Sequence, residues 1–514
     1  MSRPAIVFIG FMGAGKSTAL AAAREAGLET VEIDELMERE LGKPIRQAFE
    51  EDGQEAFRAR EAEVVGGLLE NADGGAIALG GGSVLSERVR EALDRHIVVL
   101  LEIDAATAWQ RIEGTERPLA TSEADVERLL AERLPLYEEL ADAVVPMADE
   151  GVVARALPAI QALAEMPAGT RLLWATSASG DYPVLVGSGV LGSGWWPLGG
   201  KKFCVADNAT FDLYADQLGS LQGAFAVRPG EGSKSIEDAA NVLEEMADAE
   251  LTREDHVIAL GGGVVGDLGG LCAHLYQRGI KVVQVPTTLV AQVDSAYGGK
   301  TGVNLPQGKN YVGAYHLPAA VISDTSTLLS LPKEELSAGF VEVLKTALLA
   351  GGSLWEQVRS IDLIEPDRLD EIVLACARYK CAVVAADERD AGLRHVLNLG
   401  HTVGHAIEAM SFYEKYRHGE AVGLGLLAAL RLSDAPDLRD EVEDILRRHG
   451  LPVTGTAHES REWWFEGILQ AIEGDKKKTS AGVGFVLLKE PGKPQVGQII
   501  NKSAVRTAVE ELYP

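Results

Sequence analysis

The sequence predicts an α/β protein: a P-loop domain built on a parallel sheet, then a second α/β unit that passes into a mostly helical part. Three observations predict it. A short apolar run at residues 5–9 leads into Gly10-Phe-Met-Gly13-Ala14-Gly15-Lys16-Ser17-Thr18, and an alanine-rich helical run at 19–26 follows. Short β-like runs alternate with helical patterns, first over about 1–165 and again from about 175, which is the signature of parallel α/β units. From about Leu331 onward β-branched runs become scarce until residues 483–488, so the remainder reads as helical.

In chain order, strands are expected at 5–9, 76–79 and 97–103. A linker is expected over 166–174, where Pro167 and Gly169 punctuate the chain. A second α/β part, 175–330, has strand-like runs at 184–186, 257–260 and 281–285, and the helical part occupies 331–514. Residues 77–82 and 258–263 are both Ile-Ala-Leu-Gly-Gly-Gly, but their surroundings do not match. They read as two strands that each end in a glycine loop where a ligand nears the backbone.

Composition sets limits. The chain has 514 residues and 48 Lys and Arg against 77 Asp and Glu, a net charge of −29. Non-specific nucleic-acid binding is disfavoured, and an anionic ligand must be met by local clusters of cations. The four cysteines, Cys204, Cys272, Cys376 and Cys381, form no CxxC pair and read as buried small side chains in a reducing compartment. No run of eighteen apolar residues is present, and the first apolar run leads directly into the glycine loop rather than a cleavage site. The expectation is a cytoplasmic protein without a membrane span.

The glycine loop has a definite chemistry. Backbone N–H groups around Gly13, Ala14 and Gly15 turn inward on phosphate oxygens, Lys16 adds a point charge, and Ser17 offers a hydroxyl to Mg²⁺, with Thr18 opening the helix. Asp34 ends the apolar run 31–34, where it either orients an acceptor hydroxyl or caps a helix. Arg58, taken alone, is a solvated helix charge, and Arg117 lies in a polar stretch, 113–124, suited to a lid.

Together, the 10–18 loop, Asp34, Phe57-Arg58 with Glu61, Gly80-Gly81-Gly82, Arg117-Pro118-Leu119 and Arg133-x-x-x-Tyr137 resemble the shikimate kinase family over nearly all of 1–165. The resemblance implies a P-loop kinase fold of nucleoside-monophosphate-kinase type that uses ATP with Mg²⁺. Asp34, Arg58, Gly81 and Arg133 are implied to hold shikimate, with the two arginines on its carboxylate, and Arg117 to close on ATP. The family often has a pair of aspartates here, whereas this chain has Glu32 before Asp34.

In the second half, His401 and His405 are four residues apart and share a helix face, and His418 follows. By spacing alone His401 and His405 read as paired metal ligands or as isolated surface histidines, with Glu342 a further candidate. Gly261-Gly-Gly-Val-Val-Gly266-Asp267 follows a strand but lacks Rossmann spacing. Arg278, Lys300, Lys309, Lys345, Lys380, Arg394, Lys476 and Lys477 stand out in an acidic chain and suggest a polyanionic substrate.

These residues, with Pro229-Gly-Glu231-Gly-Ser-Lys234, Pro286-Thr287-Thr288, Gln292-Val-Asp294, Gly298 to Asn304, Gly308-Lys309-Asn310, Leu397-Asn398 and His418-Gly-Glu, resemble the 3-dehydroquinate synthase family over roughly 175–514. The resemblance implies an α/β NAD-binding part followed by a helical metal- and substrate-binding part. It implies that Glu342, His401 and His418 hold zinc or cobalt and that His405 acts near the substrate phosphate. NAD⁺ contacts are implied at Glu231, Lys234, Gly263, Val264, Val265, Gly266, Asp267, Thr287, Thr288, Lys309, Thr327, Leu328, Leu329 and Ser330. Asp294, Lys300, Asn310, Lys380, Arg394, Asn398 and Lys477 are implied to meet the substrate, with Lys300, Lys345, His405 and Arg278 in the catalytic set. The implied substrate is 3-deoxy-D-arabino-heptulosonate 7-phosphate, and the implied assembly is a homodimer in which Arg278 reaches a neighbouring subunit. Asp390 stands where the family usually has Glu. A cyclase of substrates lacking a carboxylate would leave Lys380 and Arg394 facing no anion, a polyol dehydrogenase would not need Lys300, Lys309 and Lys476 together, and a mere nucleotide sensor would not need Asp34, Arg58 and Arg133.

Overall fold

The computed structural model describes residues 3–113, 122–412, 414–456, 460–474, 478–479 and 482–513. The chain divides into two compact units, Met1–Thr176 with Asp181–Leu185, and Ser177–Gly180 with Val186–Pro514.

The first unit is a parallel sheet in which Thr30–Glu32, Ala76–Ala78, Ile6–Ile9, Ile97–Glu102 and Ala143–Pro146 are successive neighbours. Helices cover both faces of such a sheet, so its strands are continuous apolar runs rather than alternating ones. Every residue of Ile6–Ile9 is buried, as is every residue of Ala76–Ala78. The strands Thr30–Glu32 and Ala143–Pro146 were not expected; at three and four residues they are too short to show a period. The expected linker at 166–174 is linker only in its first half. Arg171–Ser177 is a strand that continues the sheet beside Ala143–Pro146, because Leu172, Leu173 and Trp174 are buried there.

In the second unit a parallel sheet orders Ala320–Asp324, Lys281–Pro286, His256–Gly261, Lys202–Asp207 and Gly223–Val227. The helix Gly263–Leu275 packs on it, and an antiparallel ribbon, Lys300–Leu305 with Gly308–Tyr315, lies against that helix. Val257, Ala259, Leu268, Leu271, Val282 and Val303 share one core here. All four cysteines are free and buried.

Helices then dominate. Lys333–Ala350 is buried around nearly its whole circumference, which marks a central core helix and carries Glu342 and Lys345 into the interior. Two further helices, His401–Met410 and His418–Leu432, pack on each other, and the second also packs on Lys333–Ala350. Glycines set their spacing. A Cβ on Gly419 would lie 1.8 Å from the Ala338 carbonyl oxygen, and one on Gly425 would lie 2.0 Å from that of Gly400. Strands Gly482–Leu488 and Pro494–Ile499 pair antiparallel before a last helix, Lys502–Glu510. Among the described residues no helix is long and apolar enough to cross a membrane.

Candidate active sites

The first site sits on the P-loop. Gly15 adopts φ +84°, open to glycine without penalty, and delivers the chain into the helix Lys16–Glu25. Lys16 Nζ donates to the carbonyls of Gly10 (2.8 Å) and Phe11 (3.0 Å), so its charge lies across the loop. Ser17 Oγ donates to Glu32 Oε1 at 2.5 Å. Glu32, the residue that departs from the family pattern, therefore shares the loop with the serine.

A cavity of about 440 Å³ opens beside the loop, lined by Glu32, Asp34, Arg58, Glu61, Gly80, Gly81, Gly82 and Arg133 among others. Asp34 is the second residue of the helix Ile33–Leu41, and Glu32 holds the N-cap position, so Asp34 lines the cavity instead of capping the helix. Arg58 pairs with Glu61, whose other oxygen accepts from Ser83 Oγ at 2.7 Å. The guanidinium lies 5.7 and 5.6 Å from the ring centres of Phe49 and Phe57, which hold it in place. Arg133 Nη1 donates to the Gly81 carbonyl at 3.1 Å, and the Tyr137 hydroxyl donates to the same oxygen. Burial pushes the Tyr137 phenol above its ordinary range, so it stays a neutral donor. Two held guanidinium groups and one carboxylate around a cavity suit a hydroxylated carboxylic acid. Ser83 and Phe49 were not foreseen. Arg117 lies outside the described residues.

The second site centres on Glu342. Its Oε1 is 3.4 Å from His401 Nε2 and 3.2 Å from His418 Nε2, and the carboxylate is 1 % exposed. Neither oxygen completes a hydrogen bond, although Lys345 Nζ stands 2.6 Å from Oε2. The ligand atoms of Glu342, His401 and His418 lie within 4.8 Å of one another. Burial alone would lower the His418 imidazole, yet Glu342 and Glu408 outweigh it and raise it to about 10. Buried carboxylate oxygens short of partners, facing two imidazole nitrogens, fit a divalent cation with N and O ligands. The spacing-based pair gives way here: His405 is exposed and groups with Glu408 and His418, not with Glu342. The helix repeat aligned His401 with His405, but the third helix supplies His418.

Around this cluster the cations are paired. Asp294, in the five-residue π-helical turn Ala291–Ser295, accepts from Lys380 at 2.6 Å and lies 3.7 Å from Lys345. Burial pushes the Asp294 carboxyl upward, but the two lysines outweigh it and hold it at about 2. Lys300 lies 2.5 Å from Asp390, which adopts φ +61°. Arg394 is buried and donates to the carbonyls of Gly298 (3.2 Å) and Glu388 (2.8 Å), and Asn398 Nδ2 donates to the His395 carbonyl at 2.9 Å. Arg394 thus holds the backbone that leads into Lys300.

A cavity of about 620 Å³ joins His405 and His418 to Glu231, Lys234, Gly263, Val264, Val265, Asp267, Thr288, Lys309 and Asn310. The N-terminus of the helix Gly263–Leu275 opens on it and carries partial positive charge suited to phosphates. Lys234 pairs with Asp267, and the Asn310 amide donates to Asn304 Oδ1 at 2.9 Å. Several expected residues stand elsewhere. Gly266 turns to Gln284, whose amide donates to its carbonyl at 3.1 Å, and Thr287 is buried. Thr327 and Leu328 are buried, Leu329 is exposed, and Ser330 bonds Tyr214, so the 327–330 turn does not line this cavity. Arg278 is exposed, at φ +69°, and also lies outside it. Lys476 and Lys477 fall outside the described residues.

Comparison with known proteins places both parts of the chain in families. A shikimate kinase family model matches residues 12–162, and models of the N-terminal and C-terminal parts of 3-dehydroquinate synthase match 224–338 and 339–478. The 3-dehydroquinate synthase of Thermoanaerobacter pseudethanolicus is 41% identical over 313 residues, 58% of this chain and 86% of that protein. That of Pseudomonas putida is 38% identical over 355 residues, 65% of this chain and 95% of that protein. A crystal structure of 2-deoxy-scyllo-inosose synthase complexed with carbaglucose-6-phosphate, NAD⁺ and Co²⁺ shares the fold, with a TM-score of 0.59 at 24% identity over 66% of this chain and 99% of that one. Since the relatives are matched along most of their length, and a kinase model covers the residues ahead of them, the chain belongs to the 3-dehydroquinate synthase family and carries a shikimate kinase domain before it, two enzymes of the shikimate pathway on one polypeptide.

Proposed function

We propose that the two activities run on the residues described above, each in its own unit. In the kinase, Lys16 and the loop amides hold the ATP phosphates, Ser17 and Glu32 share the Mg²⁺, Arg58 and Arg133 clamp the shikimate carboxylate, and Asp34 accepts from the hydroxyl that is phosphorylated. This is catalysis by positioning and charge neutralisation, with no covalent enzyme intermediate. The expected domain limits are 1–165 for the kinase, 175–330 for the NAD-binding part and 331–514 for the metal-binding part.

In the synthase, Glu342, His401 and His418 would hold Zn²⁺ or Co²⁺, and the wall from Glu231 to Asp267 with Thr288 and Lys309 would hold NAD⁺. When bound, the metal supplies a Lewis acid and NAD⁺ a hydride acceptor that is regenerated within the cycle. The chain's own residues bind and steer. Asp294, Lys380, Arg394 and Asn398 shape the carboxylate end, with Asp294 paired to the Lys345 and Lys380 ammonium groups. Lys300, Asn310 and His405 face the phosphate end, and Asp390 holds the Lys300 ammonium. The products are 3-dehydroquinate and phosphate. The reading rests on one observation: a buried carboxylate, Glu342, with both oxygens short of hydrogen bonds and two imidazole nitrogens turned to it.

Replacing Glu342 by Gln tests it. Metal content and synthase turnover are expected to fall together while shikimate phosphorylation persists; a Glu342→Gln protein that keeps its metal and its synthase rate would sink the reading. Steady NADH accumulation during turnover would equally contradict a regenerated cofactor. The family resemblance carries a homodimer built on the synthase unit, with Arg278 reaching the neighbouring subunit, to be checked by sedimentation. ATP and NAD⁺ dependence and four free, buried cysteines support a cytoplasmic location.

A further inference from the structure

Glu408 belongs to no role assigned so far, yet its surroundings are specific. It sits seven residues beyond His401 on the same helix, two turns along the same face. Its side chain is 2 % exposed. A carboxylate buried to that degree needs partners on both oxygens. Oε1 accepts from Lys309 Nζ at 3.1 Å, and Oε2 lies 3.4 Å from His418 Nδ1.

The two imidazoles at Glu342 are held in parallel fashion. His401 turns Nε2 to Glu342 and Nδ1 to the Leu399 carbonyl, 3.1 Å away. His418 turns Nε2 to Glu342 and Nδ1 to Glu408. In each ring one nitrogen faces the centre and the other faces an acceptor, which is how a histidine is fixed in the tautomer that binds metal. For His401 the backbone supplies the acceptor. For His418 no backbone acceptor is in place among the described residues, and a side chain from the neighbouring helix serves.

We propose that Glu408 is a positioning residue for the metal centre. Its Oε2 takes the Nδ1–H of His418 and commits Nε2 to the metal, while its Oε1 anchors Lys309 on the antiparallel ribbon. The same carboxylate thus couples the metal centre to the wall that faces the cofactor: Lys309 stands 4.0 Å from Glu231, and Glu231 accepts from Asn304 at 2.7 Å. This assignment rests on Glu342, His401 and His418 being the metal ligands. The same bond accounts for the closeness of Glu408 and His418, which with His405 meet the geometry of a metal cluster, without a second ion: His418 cannot give Nδ1 to a second ion and to Glu408 at once.

The test is Zn²⁺ affinity of the full chain, measured by competition with a chromophoric chelator without NAD⁺ or substrate. Glu408→Gln is expected to weaken Zn²⁺ about ten- to a hundredfold with an unchanged circular dichroism spectrum, and Glu408→Asp to recover part of the loss. Wild-type affinity in Glu408→Gln, alongside loss in His418→Ala, would overturn the role of Glu408 and leave the metal site standing. Undiminished affinity in His418→Ala would overturn the metal site itself, and two Zn²⁺ per chain would overturn the tautomer argument. Should Glu408→Gln not fold, the ¹⁵N shifts of the His418 ring in the Zn²⁺-loaded wild type decide: a protonated Nδ1 and metal-bound Nε2 are expected, and the reverse refutes the proposal.

Discussion

Gly419 stands so close to Ala338 that a Cβ at this position would lie 1.8 Å from the Ala338 carbonyl oxygen. The contact joins the helix that begins at His418 to the helix that carries Glu342. A methyl group there must push the two helices apart, at about 1–3 kcal/mol or more. Gly419→Ala is therefore expected to lower bound metal and synthase activity together, with shikimate phosphorylation kept. Metal analysis and the two assays on one preparation check it.

Ser17 and Glu32 are expected to act as one unit toward Mg²⁺. Their 2.5 Å contact holds the serine hydroxyl at the mouth of the loop. Removing the carboxylate in Glu32→Ala should cost about tenfold in the phosphorylation rate and raise the Mg²⁺ concentration needed for half-maximal rate. Lys16→Ala, which removes the charge on the terminal phosphates, should cost a hundredfold or more, about 3 kcal/mol of barrier. Mg²⁺ titrations of the kinase rate test both, and the synthase rate should stay constant.

Arg394 donates to two carbonyls, those of Gly298 and Glu388, with a planar fork that lysine does not possess. Arg394→Lys keeps the charge and loses the geometry. We expect synthase kcat/KM to fall about a hundredfold because the backbone leading to Lys300 is no longer held. Lys300 then drifts from Asp390, and steady-state kinetics of Arg394→Lys beside the wild type measure the loss.

His256 makes stability depend on pH. It is fully buried, and its Nε2 accepts from the Trp196 indole at 2.7 Å, which requires a neutral ring. Burial, reinforced by Lys202, lowers its pKa from 6.5 to about 4. Between these values the unfolded chain binds the proton and the folded one does not, so stability rises with pH across that window. The contribution is fully present above pH 6.5 and is lost as pH falls toward 4, up to about 3 kcal/mol. Denaturant unfolding of the wild type and of His256→Gln, which keeps an acceptor for Trp196 but does not titrate, should show the steeper slope only in the wild type.

What could be read without coordinates was whatever neighbours along the chain determine together. The strand at Ile6–Ile9, the loop and the helix Lys16–Glu25 are contiguous, so residue type and spacing already imply a phosphate cradle. The helical character of the chain beyond Leu331 was legible from the scarcity of β-branched runs, and Glu342 was already a candidate ligand there.

The grouping of Glu342, His401 and His418 was implied by the family motifs and not by their spacing. A helical repeat of four drew His401 and His405 together, yet the second imidazole at Glu342 is that of His418 on a different helix, brought near by contacts at Gly419 and Gly425. Arg58 looked like a solvated charge until Glu61 and two phenylalanine rings enclosed it. Glu408 drew no notice, because a glutamate three residues after a histidine is ordinary on a helix surface, and only packing buries it between Lys309 and His418. Local chemistry is written in adjacent residues; burial and the pairing of distant charges exist only once separate elements have closed on one another, since desolvation is a property of the packed interior and not of the chain.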